Sequence, residues 1–323
     1  MKIAYLDFNE DNFFEDYSIS PKRYGGGRIF ASSAKEYSKD FHIFANPESF
    51  NNLTDSENKS NCHSLKSSQR QDIRIGLPIE RIIPEIEDFD LIVHHHANYG
   101  INSNKPVCCW AVGYNEPCHP RNSNLLLFNE YQKPRISNPN TKTYKVVIGK
   151  KIPEFREYPK EDFIFQCTRH VQCFGSIQVA KICKANNIPV VFAGPIIDNE
   201  YPLMDYVDGS LIKYIGQISE EEKISYLKKA KLCTFLHFWP TPFNLSAIES
   251  LSYGTPIATT NIGFWPSLVN KKNGSILDSS LNLVQTFYNK FNQYDCYESS
   301  LEFSEDNMLT SFFDSFERIL KNN

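Results

Sequence analysis

Short apolar runs alternate with amphipathic helical segments along the chain, and this alternation begins a second time after about residue 162. Runs such as LIVHH (91–95) and PVVFAG (189–194) contain few polar residues and are too short to form helices. Such runs, separated by helices, are typical of parallel sheets that are covered on both faces. The sequence therefore predicts an α/β protein with two Rossmann-like domains in tandem.

The charged segment KKIPEFREYPKED (150–162) contains two prolines and is predicted to be a linker. We place the first domain at residues 1–152 and the second at 153–304. The segment at about 305–321 is predicted to form a helix that packs against other elements, because its apolar residues recur at helical spacing. Residues 46–71 are rich in Asn, Ser and Lys, which predicts a mobile loop. The apolar residues of the final helix are Leu309, Phe312, Phe313, Phe316 and Leu320.

Charge and cysteine content narrow the class of protein. The chain has a net charge of -4 over 323 residues, so it lacks the basic surplus that is typical of nucleic-acid-binding proteins. Its nine cysteines form an odd set without repeated spacing, which indicates reduced thiols in a cytoplasmic protein. No signal peptide and no apolar run of about 18 residues is recognised, which leaves a peripheral membrane contact open.

The segment HFWPTPFNLSAIESLSYGTPI (237–257) is predicted to contain a phosphate-binding helix. Thr241 is a good N-cap and Pro242 suits the first turn, so we expect the helix to span 242–253 and to end before Gly254. Its N-terminus follows a strand, as in the phosphate sites of doubly wound sheets. Glu249 lies among small residues of this helix, which favours a surface that a ligand approaches closely.

The stretch TPFNLSAIESLSYGTPIATTNIGFWPSLVNKKNGSIL resembles the nucleotide-sugar signature of retaining GT-B glycosyltransferases of family 4. The resemblance implies that Glu249 holds the ribose hydroxyls of the donor. It also implies that the amides of Phe243, Asn244 and Leu245 contact the sugar and the diphosphate. Thr241 occupies the position that contacts the donor sugar hydroxyls.

Two further blocks extend the resemblance. FIFQCTRHVQCFG places Arg169 where the family pairs an arginine with donor phosphates, and the resemblance gives it a catalytic role. His237, at the end of a later strand, is interpreted either as a diphosphate contact or as a structural residue. RYGGGRIFASSAKEY resembles the loop through which the family's backbone approaches acceptor and diphosphate, here Gly25, Gly26 and Gly27. His96 is the nearest substitute for the family's catalytic-region histidine.

The resemblance implies a GT-B fold, with two Rossmann-like domains facing across a cleft and the last helix crossing back to the first domain. The first domain would bind a glycan or lipid-linked acceptor, and the second a nucleotide-sugar donor, with UDP- or GDP-sugars favoured. The implied reaction is sugar transfer with retention of the anomeric configuration. Neither a cofactor nor a metal is expected, and His94, His96, Cys108, Cys109, Cys118 and His119 lack the usual spacing of metal ligands.

Alternatives from other classes remain open. One is a non-catalytic GT-B protein that binds a nucleotide sugar or a glycan, or that supports a partner enzyme. It is favoured by Thr241 in place of a glutamate, by Phe174 in place of a lysine, and by the lack of a histidine after PVCCWAV. The other is a GT-B-fold epimerase or phosphorylase. A dinucleotide-dependent dehydrogenase is disfavoured because the sequence has no GxGxxG.

Overall fold

The computed structural model describes residues 1–7, 26–45, 61–95, 99–111, 117–128, 132, 135–136, 138–197, 201–278 and 282–322. The chain divides into two compact units. The first unit comprises Met1–Lys150 together with Glu305–Asn323, and the second comprises Lys151–Ser304. The sequence predicts this boundary two residues later, between residues 152 and 153.

Each unit is built on its own parallel sheet. The strands of the first unit are β1 (Ile3–Leu6), β2 (Phe41–Ala45), β3 (Cys62–Ser64), β4 (Leu91–His95), β5 (Val107–Trp110), β6 (Pro117–Cys118), β7 (Asn124–Leu127), β8 (Arg135–Ile136) and β9 (Lys142–Lys145). Those of the second unit are β10 (Glu161–Cys167), β11 (Val190–Ala193), β12 (Ile212–Tyr214), β13 (Ala230–Phe235), β14 (Ile257–Thr260) and β15 (Gly274–Leu277).

Helices connect these strands. In the first part of the chain they are α1 (Gly26–Tyr37), α2 (Ser67–Arg74) and α3 (Ile79–Ile82), with a 3-10 helix at Pro84–Asp88. The second unit contains α4 (Ser176–Asn186), α5 (Glu220–Lys229), α6 (Leu245–Ser252), α7 (Trp265–Leu268), α8 (Leu283–Tyr288) and α9 (Gln293–Ser300), with 3-10 helices at Gln172–Phe174, Met204–Tyr206 and Leu301–Phe303. The last helix is α10 (Glu305–Lys321).

Strand order places a topological switch point in each sheet. The first sheet has the order β3-β2-β1-β4-β5-β7-β9, and the second β12-β11-β10-β13-β14-β15. All of these neighbours pair in parallel. Strand order therefore reverses between β1 and β4 in the first sheet and between β10 and β13 in the second. In doubly wound sheets ligands bind beyond the carboxyl ends of the strands at such a point.

The first unit is completed by α10. Its Phe312 stacks on Phe30 of α1 at 4.0 Å between ring centroids, and it meets the edge of Trp110 at 5.1 Å. Phe30, Phe312 and Trp110 are all fully buried. The predicted helix at about 305–321 is confirmed, and its apolar face supplies part of the core of the first unit.

Three sequence-based element predictions were wrong in part. Residues 61–71 were assigned to a mobile loop, but they contain β3 and the start of α2. The strand expected at 144–149 spans Lys142–Lys145 instead, and the amide of Val147 donates to Ser311 Oγ of α10 at 2.9 Å. The predicted linker overlaps β10, which begins at Glu161.

Candidate functional site

Arg169 follows β10 at the switch point of the second sheet. Its side chain is exposed, and its guanidinium carbon lies 5.7 Å from the centroid of the Phe174 ring. Among the described residues, no hydrogen bond or ion pair involves this guanidinium. A cation in this position is available to an anionic ligand, and the phosphate contact of Arg169 stays a prediction.

The neighbouring His170 anchors the Arg169 loop. Its Nε2 donates to the carbonyl of Ala193 at 3.1 Å, so its Nδ1 is the acceptor for the Ser176 hydroxyl at 2.7 Å. Burial lowers the pKa of His170 to about 4, although the bond to Ala193 acts in the opposite direction. A neutral, doubly bonded imidazole therefore ties the loop to β11 and to the start of α4.

Close packing at Gly175 brings the loops after β10 and β13 together. Gly175 has a φ of +67°, and a Cβ there would lie 2.3 Å from the carbonyl oxygen of Leu236. Both the left-handed backbone and this contact require glycine. The preceding Phe174 stacks on His237, with 4.3 Å between ring centroids and 15° between ring planes. The residue that stands in place of the family's lysine thus packs against a predicted site histidine.

His237 lies after β13 and is only 1% exposed. Its Nδ1 lies 3.2 Å from Thr241 Oγ1, and the edge of Trp265 packs on its ring at 5.1 Å. Burial, and secondly the charge of Arg169, lower the pKa of His237 to about 3. Its Nε2 has no hydrogen-bond partner within the described residues. The imidazole is therefore neutral at physiological pH, and its unpartnered Nε2 is a buried atom.

The predicted start of the helix after β13 was wrong. Thr241 does not cap it. Instead α6 begins at Leu245, and the N-cap is Asn244, whose side chain accepts from the amide of Ala247 at 3.0 Å. Thr241 is held elsewhere, because its carbonyl accepts from the amide of Phe264 at 3.2 Å.

This shift changes which groups the helix offers. The ring of Phe243 packs on Phe264 at 5.1 Å between centroids, and Asn244 uses its side chain as the cap. The first-turn amides of α6 are those of Leu245 and Ser246, and the first amides of a helix have no acceptor within it. The end of α6 that presents them carries a partial positive charge.

Glu249 is buried and forms an ion pair across two helices. Its carboxylate lies 2.8 Å from Lys223 Nζ of α5, and Lys223 also lies 2.7 Å from Glu220. Burial of Lys223 opposes its charge, but the two carboxylates outweigh this effect and raise its pKa. Lys223 therefore holds the Glu249 carboxylate in place. The sequence analysis missed Lys223, whose only local signal is its position three residues after Glu220.

The predicted residues of the first unit are only partly described. Gly25 and His96 lie outside the described residues, whereas Gly26 and Gly27 form the first turn of α1. The described histidine that ends β4 is His95, which is 6% exposed.

His95 takes part in a polar cluster at the first switch point. Its Nδ1 lies 3.0 Å from the Tyr5 hydroxyl, and its Nε2 lies 3.5 Å from Asp7 Oδ1. Asp7 follows β1 and is 2% exposed. The preceding His94 is fully buried and lies 3.2 Å from Asn122 Oδ1 through its Nε2.

The sequence of the second unit matches a family model. Residues 154–293 match the model described as "Glycosyl transferases group 1". The matched residues lie within the second unit, so this unit is similar to the domains of that family. No protein with a curated function matches the chain by sequence.

Solved structures extend the similarity to the whole chain. AviGT4, a glycosyltransferase involved in avilamycin A biosynthesis, is 14% identical and has a TM-score of 0.70, with 100% of this chain and 98% of AviGT4 covered. HepE of Anabaena in complex with UDP-glucose is 12% identical with a TM-score of 0.65, covering 98% of this chain and 100% of HepE. Sucrose-phosphate synthase from Thermosynechococcus elongatus is 12% identical with a TM-score of 0.67, with both chains covered completely.

These similarities and the two parallel sheets confirm the GT-B fold that the sequence predicted. All nine cysteines are free thiols. Within the described part of the chain, no helix has the length and apolar content that crossing a membrane requires.

Proposed function

We propose that the chain transfers a sugar from a nucleoside-diphosphate-sugar donor to a glycan or lipid-linked acceptor, with retention of the anomeric configuration. The observation that carries the proposal is the arrangement at the second switch point. There, an exposed Arg169 follows β10 and a neutral His237 follows β13, while the N-terminal end of α6 and the buried Glu249 lie on the next helix. Cationic and amide donors suit a diphosphate, and a fixed carboxylate suits vicinal hydroxyls.

In this proposal each group has a separate task. Arg169 and the amides of Leu245 and Ser246 stabilise the negative charge that grows on the departing diphosphate. Glu249, fixed by Lys223, accepts hydrogen bonds from the ribose hydroxyls. His237 forms a hydrogen bond with the diphosphate and adds no charge, since its low pKa keeps the imidazole neutral.

Retention then follows from attack on the same face of the sugar that the leaving group departs from. The bond between the anomeric carbon and the phosphate oxygen would break as the acceptor hydroxyl forms the new glycosidic bond to that carbon, and the released phosphate oxygen would take the acceptor's proton. The scheme needs neither a protein general base nor a metal. Its rate enhancement comes from positioning and from charge stabilisation.

UDP-sugars are the favoured donors. HepE of Anabaena, which shares the fold, has been solved with UDP and with UDP-glucose. The test is a thermal-shift and calorimetric panel of UDP-, GDP-, ADP- and TDP-sugars, followed by proton NMR of the anomeric configuration of any product. A ligand that binds the folded chain raises its melting temperature, so we expect a shift for one nucleotide class. No shift with any class, or a product with inverted configuration, contradicts the proposal.

A non-catalytic nucleotide-sugar-binding protein is the second candidate. It is favoured by Thr241, whose hydroxyl lies against His237 in the position where the family has a carboxylate. Donor binding without transfer or hydrolysis across an acceptor panel would establish this candidate. Release of a free, altered nucleotide sugar without acceptor would instead indicate an epimerase.

A further inference from the structure

The loop after His237 exposes a tryptophan next to the candidate donor site. The chain has three tryptophans, and Trp110 and Trp265 are fully buried. Trp239, in contrast, is 59% exposed. No hydrogen bond or ring contact involves its indole among the described residues, and the preceding Phe238 is 41% exposed.

The residues around Trp239 hold this loop in one conformation. His237 Nδ1 lies 3.2 Å from Thr241 Oγ1, which joins the two ends of the loop. The amide of Phe238 donates to the carbonyl of Cys173 at 2.8 Å. Beneath the loop, a Cβ at Gly263 would lie 3.2 Å from Pro240 Cα and 2.8 Å from the carbonyl oxygen of Thr241. The exposed indole therefore belongs to a packed loop. Because the loop is already ordered, it would lose little conformational entropy when a ligand binds there.

We propose that Trp239 is a stacking platform for a pyranose ring. This inference rests on the proposed function and adds to it the residue that recognises a sugar. One face of a pyranose carries mainly C–H groups, and a flat indole covers such a face while excluding water from it. The pyranose belongs either to the donor sugar or to the acceptor, since both are required beside the same diphosphate site.

The position in the sheet supports a sugar as the occupant of this surface. Trp239 lies two residues after His237 and two before Thr241, in the loop that follows β13 at the second switch point. Arg169 and His237 serve the diphosphate in the proposed function, and the sugar is bonded directly to that diphosphate. Binding sites commonly combine aromatic walls with a few polar groups in this way.

The experiment compares Trp239→Ala and Trp239→Phe with the wild type. Tyr288→Ala is the matched control, because Tyr288 is a 63% exposed aromatic residue elsewhere in the second unit. Calorimetry gives the affinity for UDP and for UDP-glucose. Titration with the methyl pyranosides of glucose, galactose and mannose in the presence of UDP reports on an acceptor ring.

We expect Trp239→Ala to weaken one sugar-dependent affinity by about three- to tenfold while UDP binds as before. Trp239→Phe keeps an aromatic face and should lose less, and Tyr288→Ala should change each affinity by less than about twofold. Loss with UDP-glucose assigns the ring to the donor, and loss with a methyl pyranoside assigns it to the acceptor.

Unchanged sugar affinities in Trp239→Ala overturn the inference. A wild-type chain that binds UDP also overturns it if UDP-glucose binds no more tightly than UDP and no methyl pyranoside binds. Both of these results leave nucleotide binding intact. A wild-type chain that binds no nucleotide in the panel overturns the proposed function as well, so the two failures are distinguishable.

Discussion

The two switch points share a topology but differ in charge. In each sheet a histidine lies at the end of the second strand of the central pair. His95 is the last residue of β4, and His237 follows β13 by two residues. His95 lies 3.5 Å from a buried carboxylate, Asp7, whereas His237 is neutral and lies in the field of the exposed Arg169. An acid at the first switch point disfavours a diphosphate, and a cation at the second favours one.

Fold alone therefore does not assign the proposed nucleotide to one of the two switch points. The same parallel sheet brings two loops together at the same place in each unit, and the residues on those loops decide which ligand each edge accepts. Variants at each switch point separate the contributions of the two edges.

The largest expected effect concerns the ion pair that fixes Glu249. Lys223→Met should lower the free energy of unfolding of the second unit by about 2–3 kcal/mol, because it leaves a buried carboxylate without its cation. The first unit should be unaffected, since the pair lies entirely within the second. Hydrogen exchange, followed separately in each unit, measures the free energy of unfolding of both units. UDP-glucose affinity should fall as well, because Glu249 is no longer positioned.

Lys229→Met is the matched control for this variant. It makes the same change on the same helix, but Lys229 and its partner Glu161 are 56% and 59% exposed. Exposed pairs contribute about 0–1 kcal/mol, so the control should remain close to the wild type. Equal losses in both variants would show that Glu249 does not depend on Lys223.

The next largest effect concerns Arg169. Arg169→Ala should weaken UDP-glucose binding by about 30-fold, which is about 2 kcal/mol, the size expected for hydrogen bonds to a charged group. Arg169→Lys should lie in between, because lysine keeps the charge but loses the bidentate geometry. Calorimetry at constant salt is the measurement.

Asp7→Asn provides the contrast at the other edge. It removes the acid of the first switch point while keeping its shape, and we expect nucleotide affinity to change by less than about twofold. If Asp7→Asn weakens nucleotide binding as much as Arg169→Ala does, the assignment of the diphosphate to the second edge is wrong.

A smaller effect than those of Lys223 and Arg169 is the pH dependence of stability that His237 and His170 cause. Their pKa values in the folded state, about 3 and about 4, lie below the usual 6.5, so the unfolded chain binds more protons. Their contribution is complete above about pH 6.5 and is lost as the pH falls from there. Between pH 7 and pH 6 each should remove about 0.7 kcal/mol.

Chemical denaturation at the two pH values checks this expectation. His237→Phe keeps an aromatic ring between Phe174 and Trp265 but removes the titrating group, so its stability should depend less on pH by that amount. An unchanged pH dependence in this variant would mean that His237 is not held neutral in the folded chain.

Much of the fold could be predicted because parallel strands have a local signature. LIVHH was predicted at 91–95 and forms β4 with those bounds, since it begins with the apolar run that is typical of a parallel strand buried on both faces. The same logic placed Arg169 and His237 at strand ends. The local pattern does not show that β10 and β13, the strands that precede these two residues, are neighbours, because strand order is set by the tertiary fold.

The start of α6 could not be predicted from local sequence. Thr241 and Asn244 are both good N-caps, and Pro242 suits a first turn, so local preference favoured the earlier start. Tertiary contacts decided otherwise, because the Thr241 carbonyl bonds the Phe264 amide and the ring of Phe243 packs on Phe264. The pairing of Lys223 with Glu249 was missed for a similar reason, since it joins separate helices.

The division of the chain has a consequence for synthesis. The second unit is one continuous segment, Lys151–Ser304, whereas the first unit needs both Met1–Lys150 and the helix Glu305–Lys321. During translation the second unit can complete its core while the first still exposes Phe30 and Trp110, which await Phe312. The unit made first is therefore finished last, so the apolar side chains of its core stay uncovered longest on the nascent chain.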